Sequence, residues 1–152
     1  MGVSIASNID GVVLTPLKII DTPGGNVLHA MKQSDPGYAG FGEAYFSTVE
    51  AGVVKGWKRH HQMTLNLVVP IGAVRFVGYD DRSESNSFGL FQQVVLAKEK
   101  YYRLTVPPML WVGFQGIADM TSTLLNIADI EHRPDEVDKK MLNELNFDWD
   151  KD

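Results

Sequence analysis

The sequence predicts an all-β protein, a sandwich or barrel assembled from many short strands. Two observations support this fold class. The apolar runs are short and rich in Val, Ile, Phe and Tyr, and turn signals made of Gly and Pro separate them along the chain. A chain of 152 residues has the length of one domain and is long enough to bury a core, so we expect a single domain over residues 1–152.

Each predicted strand lies between two turn signals, among them Pro23-Gly24-Gly25, Pro36-Gly37 and Pro70-Ile71-Gly72. Pro107-Pro108 lacks two N–H donors, so it must form a turn or lie at a sheet edge. In chain order the predicted strands are Val12 to Ile20, Val27 to Met31, Phe41 to Thr48, Val53 to Arg59, Thr64 to Val69, Ala73 to Asp80, Phe88 to Leu96, Tyr102 to Val106, Leu110 to Gln115 and Ser122 to Ala128.

Two stretches predict helices, a very short one at Lys98 to Tyr101 and a longer one at Pro134 to Leu145. The longer stretch begins with a proline and two acidic residues, which suit the first turn of a helix, and it spaces apolar residues along one stripe. We expect this short C-terminal helix to pack its stripe on the outside of the sheets. The acidic tail Asn146 to Asp152 should fray, except at Trp149.

Composition argues against several classes of function. With 14 Lys and Arg against 19 Asp and Glu, the net charge is −5, which is unfavourable for a nucleic-acid binder. The absence of cysteine excludes disulfides, a thiolate nucleophile and cysteine-ligated metals, and it is compatible with the cytoplasm. No segment approaches the ~18 consecutive apolar residues of a membrane helix, so we expect no membrane partner.

One segment, Lys55 to Thr64, concentrates positive charge within this acidic chain. If a two-residue strand period continues through it, one face is polar and the other is apolar. The polar face would hold Lys58, His60, Gln62, Thr64 and Asn66, and the apolar face Trp57, Met63, Leu65 and Leu67. Two interpretations stay open, a solvated outer surface or the lining of a barrel lumen that receives an anionic ligand.

The same segment favours acid–base chemistry over metal binding. Neighbouring Lys and His side chains raise the cost of protonating one another, which suits a general base near neutral pH. Adjacent histidines on a strand point to opposite faces, and His29 and His132 are isolated in the sequence. We therefore predict no metal and no cofactor.

At this point the chain resembles a known family. The run Ser-x4-Gly-Val-Val-Lys-Gly from Ser47 to Gly56, followed by Gly72 and Asp80-Asp81-Arg82, is similar to the motifs of the dTDP-4-dehydrorhamnose 3,5-epimerases. A second match lies between Phe91 and Phe114, and the resemblance covers roughly residues 12 to 130. It implies a cupin-type double-stranded β-helix, or jelly roll, usually a homodimer with exchanged strands, and a dTDP-linked keto sugar as substrate.

The resemblance carries over only in part. The family's general-base His falls on Lys58, the His before Gly-Phe falls on Val112, and the general-acid Tyr falls near Leu124 or Leu125. The usual catalytic His and Tyr are therefore replaced.

The related dTDP-sugar 3,4-ketoisomerases have an Arg-Gly-x-His-x-His-Lys motif, whose second His matches His60. The two resemblances together imply His60 and Lys58 as catalytic residues, one as base and the other as stabiliser of the enolate oxygen. Lys55 would contact the diphosphate. The other predicted substrate-binding residues are His29, Asn66 and Arg75.

The predicted function is an epimerase or ketoisomerase of a nucleotide-linked 4-keto-6-deoxy sugar in surface polysaccharide biosynthesis. The chemistry would be removal of the proton next to the ketone. The alternative is a catalytically inactive cupin that binds a nucleotide sugar or a protein partner.

Overall fold

Twelve short strands make up the computed structural model, which describes residues 8–151. In chain order they are β1 (Val13–Pro16), β2 (Ile19–Thr22), β3 (Gly25–Leu28), β4 (Glu43–Val49), β5 (Val54–His60), β6 (Leu65–Ile71), β7 (Ala73–Tyr79), β8 (Phe91–Ala97), β9 (Tyr102–Val106), β10 (Trp111–Gly116), β11 (Ser122–Ala128) and β12 (Val137–Lys139). The prediction of an all-β fold is confirmed.

Ten of these strands form two antiparallel sheets. Sheet 1 has the order β1-β9-β6-β11-β4, and sheet 2 has the order β12-β5-β10-β7-β8. Strands β2 and β3 form a separate hairpin. Chain neighbours such as β4 and β5 or β5 and β6 thus lie in different sheets, which is the strand arrangement of a jelly roll.

The main apolar core lies between the two sheets. Sheet 1 contributes Leu67, Leu104 and Leu124 to it, and sheet 2 contributes Phe76 and Leu96. The tight turn predicted at Pro70-Ile71-Gly72 is confined to Gly72, at a φ of 84°, because β6 extends through Ile71 and β7 begins at Ala73. A Cβ at Gly72 would also lie against the Ser122 side chain, so both conformation and space require glycine.

The predicted C-terminal helix is wrong. Residues Pro134–Glu136 and Leu142–Glu144 form only single 3-10 turns, and β12 lies between them as an edge strand paired with β5. The pairing explains the difference, because β12 satisfies the backbone groups of β5 at the sheet edge. The apolar stripe is not buried as one face, since Met141 is 70% exposed.

The C-terminal segment does cover the outer face of sheet 2, as an extended chain. Leu145, Phe147 and Trp149 pack against a second apolar cluster on that face, centred on the buried Trp57 and Trp111. The expectation that the tail frays from Asn146 is therefore wrong for residues 146–148, whereas Trp149 is packed, as the exception made for it expected. Gly113 permits the close approach, because a Cβ there would lie 3.1 Å from both the Trp57 and the Trp149 rings.

Several strand boundaries also differ from the prediction. The run Val12 to Ile20 is divided into β1 and β2, which pair with different strands. The short helix predicted at Lys98 to Tyr101 is a turn, closed by a hydrogen bond from the N–H of Lys100 to the carbonyl of Ala97. Within residues 8–151, no helix has the length and apolarity needed to cross a lipid bilayer.

Candidate active site

A cavity of about 410 Å³ opens between the two sheets, in the size range of small-molecule sites. Strands β4, β6 and β11 form its sheet 1 wall, and β5, β10 and β12 form most of its sheet 2 wall. Leu67, Phe76 and Leu124 belong both to the core and to the cavity lining. The floor of the cavity is therefore apolar and continuous with the core.

An irregularity in β5 brings three predicted residues to this cavity together. Lys58 pairs with Val112 and Lys55 with Phe114, so β5 has one more residue than β10 across this interval. Such a bulge reverses the alternation of side chains. Lys55, Lys58 and His60 consequently all line the cavity, although a strict two-residue period would turn Lys55 away from the other two.

His60 is held by a buried carboxylate that the sequence analysis did not connect with it. Nδ1 of His60 lies 2.6 Å from Oε1 of Glu136, and the two side chains are 13% and 4% exposed. The other oxygen, Oε2, accepts hydrogen bonds from the backbone N–H groups of His61, Gln62 and Met63. These contacts fix the carboxylate, and the carboxylate orients the imidazole ring.

Glu136 remains ionised in this environment. Burial raises its pKa, but hydrogen bonds from His60 and from the backbone N–H groups of Gln62 and Met63 outweigh burial and hold the pKa below 4.5, its ordinary value. An ionised Glu136 favours the tautomer of His60 that carries its proton on Nδ1. Nε2 of His60 then has a free lone pair, and no side chain or backbone group of residues 8–151 bonds to it.

Tyr45 contributes a phenol from the opposite sheet. It lies on β4, lines the cavity, and its hydroxyl accepts a hydrogen bond of 3.1 Å from Nδ2 of Asn126 on the paired strand β11. The backbone N–H of Asn66 donates to Oδ1 of Asn126 and thereby fixes the orientation of the amide. Because the hydroxyl oxygen accepts from Asn126, its own proton remains available to a ligand.

The lining of the cavity is positively charged. Lys139 on β12 and His132 join Lys55, Lys58 and His60, and the described lining contains neither Asp nor Glu. A concave surface with charge of one sign attracts and concentrates anionic ligands. Residues 8–151 contain no group of three or more His, Asp or Glu side chains arranged to hold a metal ion.

Three of the predicted substrate-binding residues do not line this cavity. Arg75 bonds to the side chain of Gln115 and to the carbonyls of Trp149 and Lys151, on the outer side of sheet 2. His29 follows the β2–β3 hairpin, where its backbone pairs with Lys18 and Tyr101.

Asn66 is the third, and its position has a topological cause. It is 2% exposed and bonds to Thr105 and to the carbonyl of Gly37, on the side of sheet 1 away from the cavity. The strand period does not continue from β5 to β6, because the chain changes sheets between them. After the bulge, the even positions Lys58 and His60 face the cavity on β5, whereas the odd positions Leu65 and Leu67 face it on β6.

Sequence reasoning missed Glu136, Tyr45, Asn126 and Lys139. Glu136 is one of the two acidic residues that suit a helix start in the sequence, and 76 positions separate it from His60. Tyr45 is one of five tyrosines in the chain, and its residue type alone does not set it apart. A polar alternation of Tyr45 and Ser47 on β4 was the one local signal that could have indicated an inward polar face.

The fold and the site together define a class of protein, a cupin-type jelly roll with a cationic interior cavity and a His–carboxylate pair. A family model described as dTDP-4-dehydrorhamnose 3,5-epimerase matches residues 7–152. The chain belongs to this family. The predicted cupin fold and the predicted class, sugar isomerases and epimerases, are thereby confirmed.

Individual relatives agree with this family. A dTDP sugar isomerase from Desulfovibrio desulfuricans G20 has a solved structure with a TM-score of 0.91 and 36% identity, covering 95% of this chain and 94% of that one. The spore coat polysaccharide biosynthesis protein SpsL of Bacillus subtilis is 22% identical over 93% of this chain and 96% of its own. The probable low-salt glycan biosynthesis epimerase Agl13 of Haloferax volcanii is 32% identical over 55% of this chain, and the match spans 54% of Agl13, about half its length.

Proposed function

We propose that the protein epimerises a carbon next to the ketone of a dTDP-linked 4-keto-6-deoxy sugar, in the biosynthesis of a surface polysaccharide. The observation that carries this proposal is the arrangement of His60 with Glu136 on one wall of the cavity and Tyr45 with Asn126 on the other. The substrate class rests on the family, on the dTDP sugar isomerase named above and on the cationic lining.

His60 is the general base in this proposal. Its Nε2 takes the proton from the carbon next to the ketone, while Nδ1 keeps its hydrogen bond to Glu136. The carboxylate stabilises the positive charge that the ring gains in this step. Lys58, two residues away on the same wall, stabilises the negative charge that develops on the enolate oxygen.

The remaining cations bind the diphosphate. Lys55 and Lys139 line the same cavity as His60, and the Nζ of Lys55 also lies 3.4 Å from the carbonyl of Thr48. An ammonium group contacts phosphate oxygens as a point charge.

Tyr45 is the general acid in this proposal and returns a proton to the carbon. It belongs to sheet 1 and His60 belongs to sheet 2, so a sugar bound between the sheets has the two groups on opposite faces. Removal from one face and return from the other inverts the carbon. This arrangement favours an epimerase over a ketoisomerase that moves a proton along one face.

The test is incubation of the wild-type protein with dTDP-4-keto-6-deoxyglucose in deuterium oxide, followed by NMR. We expect deuterium at an inverted carbon next to the ketone. His60→Gln should lose both exchange and inversion. Tyr45→Phe should retain exchange, since His60 still removes and returns a hydron on one face, but it should lose inversion.

Tyr38→Phe is the matched control for Tyr45, because Tyr38 is a surface tyrosine outside the cavity lining. It should epimerise like wild type. Exchange in His60→Gln at the wild-type rate would remove His60 from the base role. Nucleotide binding by wild type without any exchange would support the alternative, an inactive cupin that binds a nucleotide sugar.

We also propose a homodimer in the cytoplasm and one cupin domain over residues 1–152. The edge strand β4 supports the homodimer, since Phe46 on its outward face is 68% exposed and Phe41 just before it is 65% exposed. Exposed apolar edges of this kind are usually covered by a partner. His29, which is remote from the cavity of its own subunit, stays a predicted substrate contact only in such a dimer.

A further inference from the structure

A second polar network lies on the outer face of sheet 2, directly behind the His60–Glu136 pair. Its centre is Asp138, whose Oδ2 lies 2.6 Å from Nη2 of Arg59 and 2.8 Å from Nε2 of His61. Nε of Arg59 lies 3.0 Å from the same oxygen. Hydrogen bonds from Arg59 and then from His61 hold the pKa of Asp138 below its ordinary value, so it is ionised at neutral pH.

The Arg59 side of this network is itself anchored to sheet 2. The guanidinium carbon lies 4.7 Å from the centre of the Trp111 ring, and Nη1 of Arg59 lies 3.2 Å from Oδ1 of Asp81. The indole N–H of Trp111 donates to Oδ2 of Asp81 over 3.0 Å. These contacts hold Arg59 in place, so it can anchor a neighbouring strand.

The strand next to Arg59 is β12, which is the shortest strand of the two sheets. It has three residues, lies at the edge of sheet 2 and pairs only with β5 among the described strands. Asp138 lies directly opposite Arg59 in this pairing. The backbone pairing continues on both sides of β12, from His61 N–H to the carbonyl of Glu136 and between Trp57 and Lys140. The cross-strand ion pair of Asp138 and Arg59 adds a side-chain contact at the centre of this pairing.

Both functional groups supplied from this side of the cavity depend on β12. Glu136 comes immediately before the strand and contacts His60, while Lys139 is its last residue and lines the cavity. Asp138 lies between them and points to the opposite face, toward Arg59 and His61. Neither Asp138 nor Arg59 lines the cavity.

We propose that Asp138 is a positioning residue, which ties β12 to Arg59 and His61 and so keeps Glu136 on His60 and Lys139 in the cavity. The effect of Asp138 on turnover rests on the proposed function. The effect of Asp138 on which ring nitrogen of His60 carries the proton does not.

The test compares Asp138→Ala with Asp135→Ala, a control that removes an exposed carboxylate from the same segment. Nitrogen NMR of the free protein reports which ring nitrogen of His60 carries the proton. We expect wild type and Asp135→Ala to hold it on Nδ1, and Asp138→Ala to show a mixture of both tautomers. Turnover of the dTDP-keto sugar by Asp138→Ala should fall about 10- to 100-fold with a higher KM, as displacement of catalytic groups does.

Asp138→Glu should restore much of the Nδ1 tautomer of His60 and much of the turnover, because it keeps a carboxylate within reach of Arg59. An unchanged His60 ring and unchanged turnover in Asp138→Ala would overturn the proposal. If Asp138→Ala does not fold, Arg59→Lys replaces it, since an ammonium cannot make both contacts with Asp138. A mixture of His60 tautomers and lower turnover in Arg59→Lys would then support the proposal, and no change in either would overturn it. A tautomer change without turnover in wild type would refute the proposed function and leave the positioning role standing.

Discussion

At the scale of single residues, the catalytic potential of the site depends on Glu136. Its carboxylate joins the imidazole of His60 to three backbone N–H groups of the β5–β6 connection, and it is 4% exposed. A buried carboxylate with this number of donors is fixed in place before any ligand arrives. Its charge should therefore matter both for turnover and for folding.

Glu136→Gln should lower turnover and stability together. The amide keeps the shape but loses the charge, and its NH₂ group would face backbone donors or His60. We expect the free energy of unfolding to fall by about 1–3 kcal/mol, measured by urea denaturation at pH 7. Glu131→Gln, on the exposed stretch that precedes Glu136, is the control and should unfold like wild type.

Wild type and Glu136→Gln together also test the lowered pKa of Glu136. Since the folded-state pKa is lowered, the stabilisation it provides is fully present above pH 4.5, its ordinary value, and is lost as the pH falls through the lower folded value. The difference in stability between wild type and Glu136→Gln should shrink as the pH falls below 4.5. A constant difference down to pH 2 would contradict this explanation.

At the scale of elements, the segment after β12 stabilises sheet 2 from outside. The Trp149 ring centre lies 5.4 Å from that of Trp57 and 4.9 Å from that of Phe147, and Arg75 bonds to the carbonyl of Trp149. Trp57, Val77 and Trp111 are buried where this extended chain packs on the outer face of sheet 2. An element without regular secondary structure thus contributes packing that a helix was expected to provide.

Trp149→Ala should destabilise the protein without altering the cavity. Trp149 is half-buried, so we expect a loss of about 2–3 kcal/mol in urea denaturation, below the cost of a fully buried tryptophan. KM for the nucleotide sugar should stay unchanged, because Trp149 lies on the face of sheet 2 away from the cavity. Asp150→Ala, one residue on and exposed, should match wild type in both measurements.

At the scale of the whole molecule, β4 links the active site to the expected dimer surface. Tyr45 on this strand faces the cavity, and the next residue, Phe46, faces outward beside Leu125. Because β4 is an edge strand of sheet 1, a second copy that covers Phe46 would lie directly behind Tyr45, the proposed general acid.

Phe46→Glu should convert a wild-type dimer to monomers, observed by sedimentation at micromolar concentration. A charge buried at an apolar interface without a partner opposes association. Phe88→Glu is the control, because Phe88 is also exposed, at 56%, but lies in the turn before β8. A wild-type monomer would reject the homodimer, and a Phe46→Glu dimer would reject β4 as its interface.

Much of the fold was predictable because strand formation depends on local residue type and turn chemistry. The two-residue period also predicted that Lys58 and His60 share a face. The two-residue period does not hold at Lys55, because a bulge changes the alternation of side chains there. It does not extend to Asn66, because the chain moves to the other sheet between β5 and β6. The C-terminal helix failed for a related reason, since the edge of β5 offers backbone partners that a local stripe does not reveal.

By itself, the sequence determined an all-β chain, its family motifs and a cationic segment in an acidic protein, because these properties depend only on residues that are close together in the sequence. Only the tertiary structure decided that Glu136 joins His60 and that Tyr45 and Asn126 face them from the other sheet. The physical reason is that side chains remote in sequence meet only when strands pair and sheets pack. No local period encodes which partner a strand edge will take.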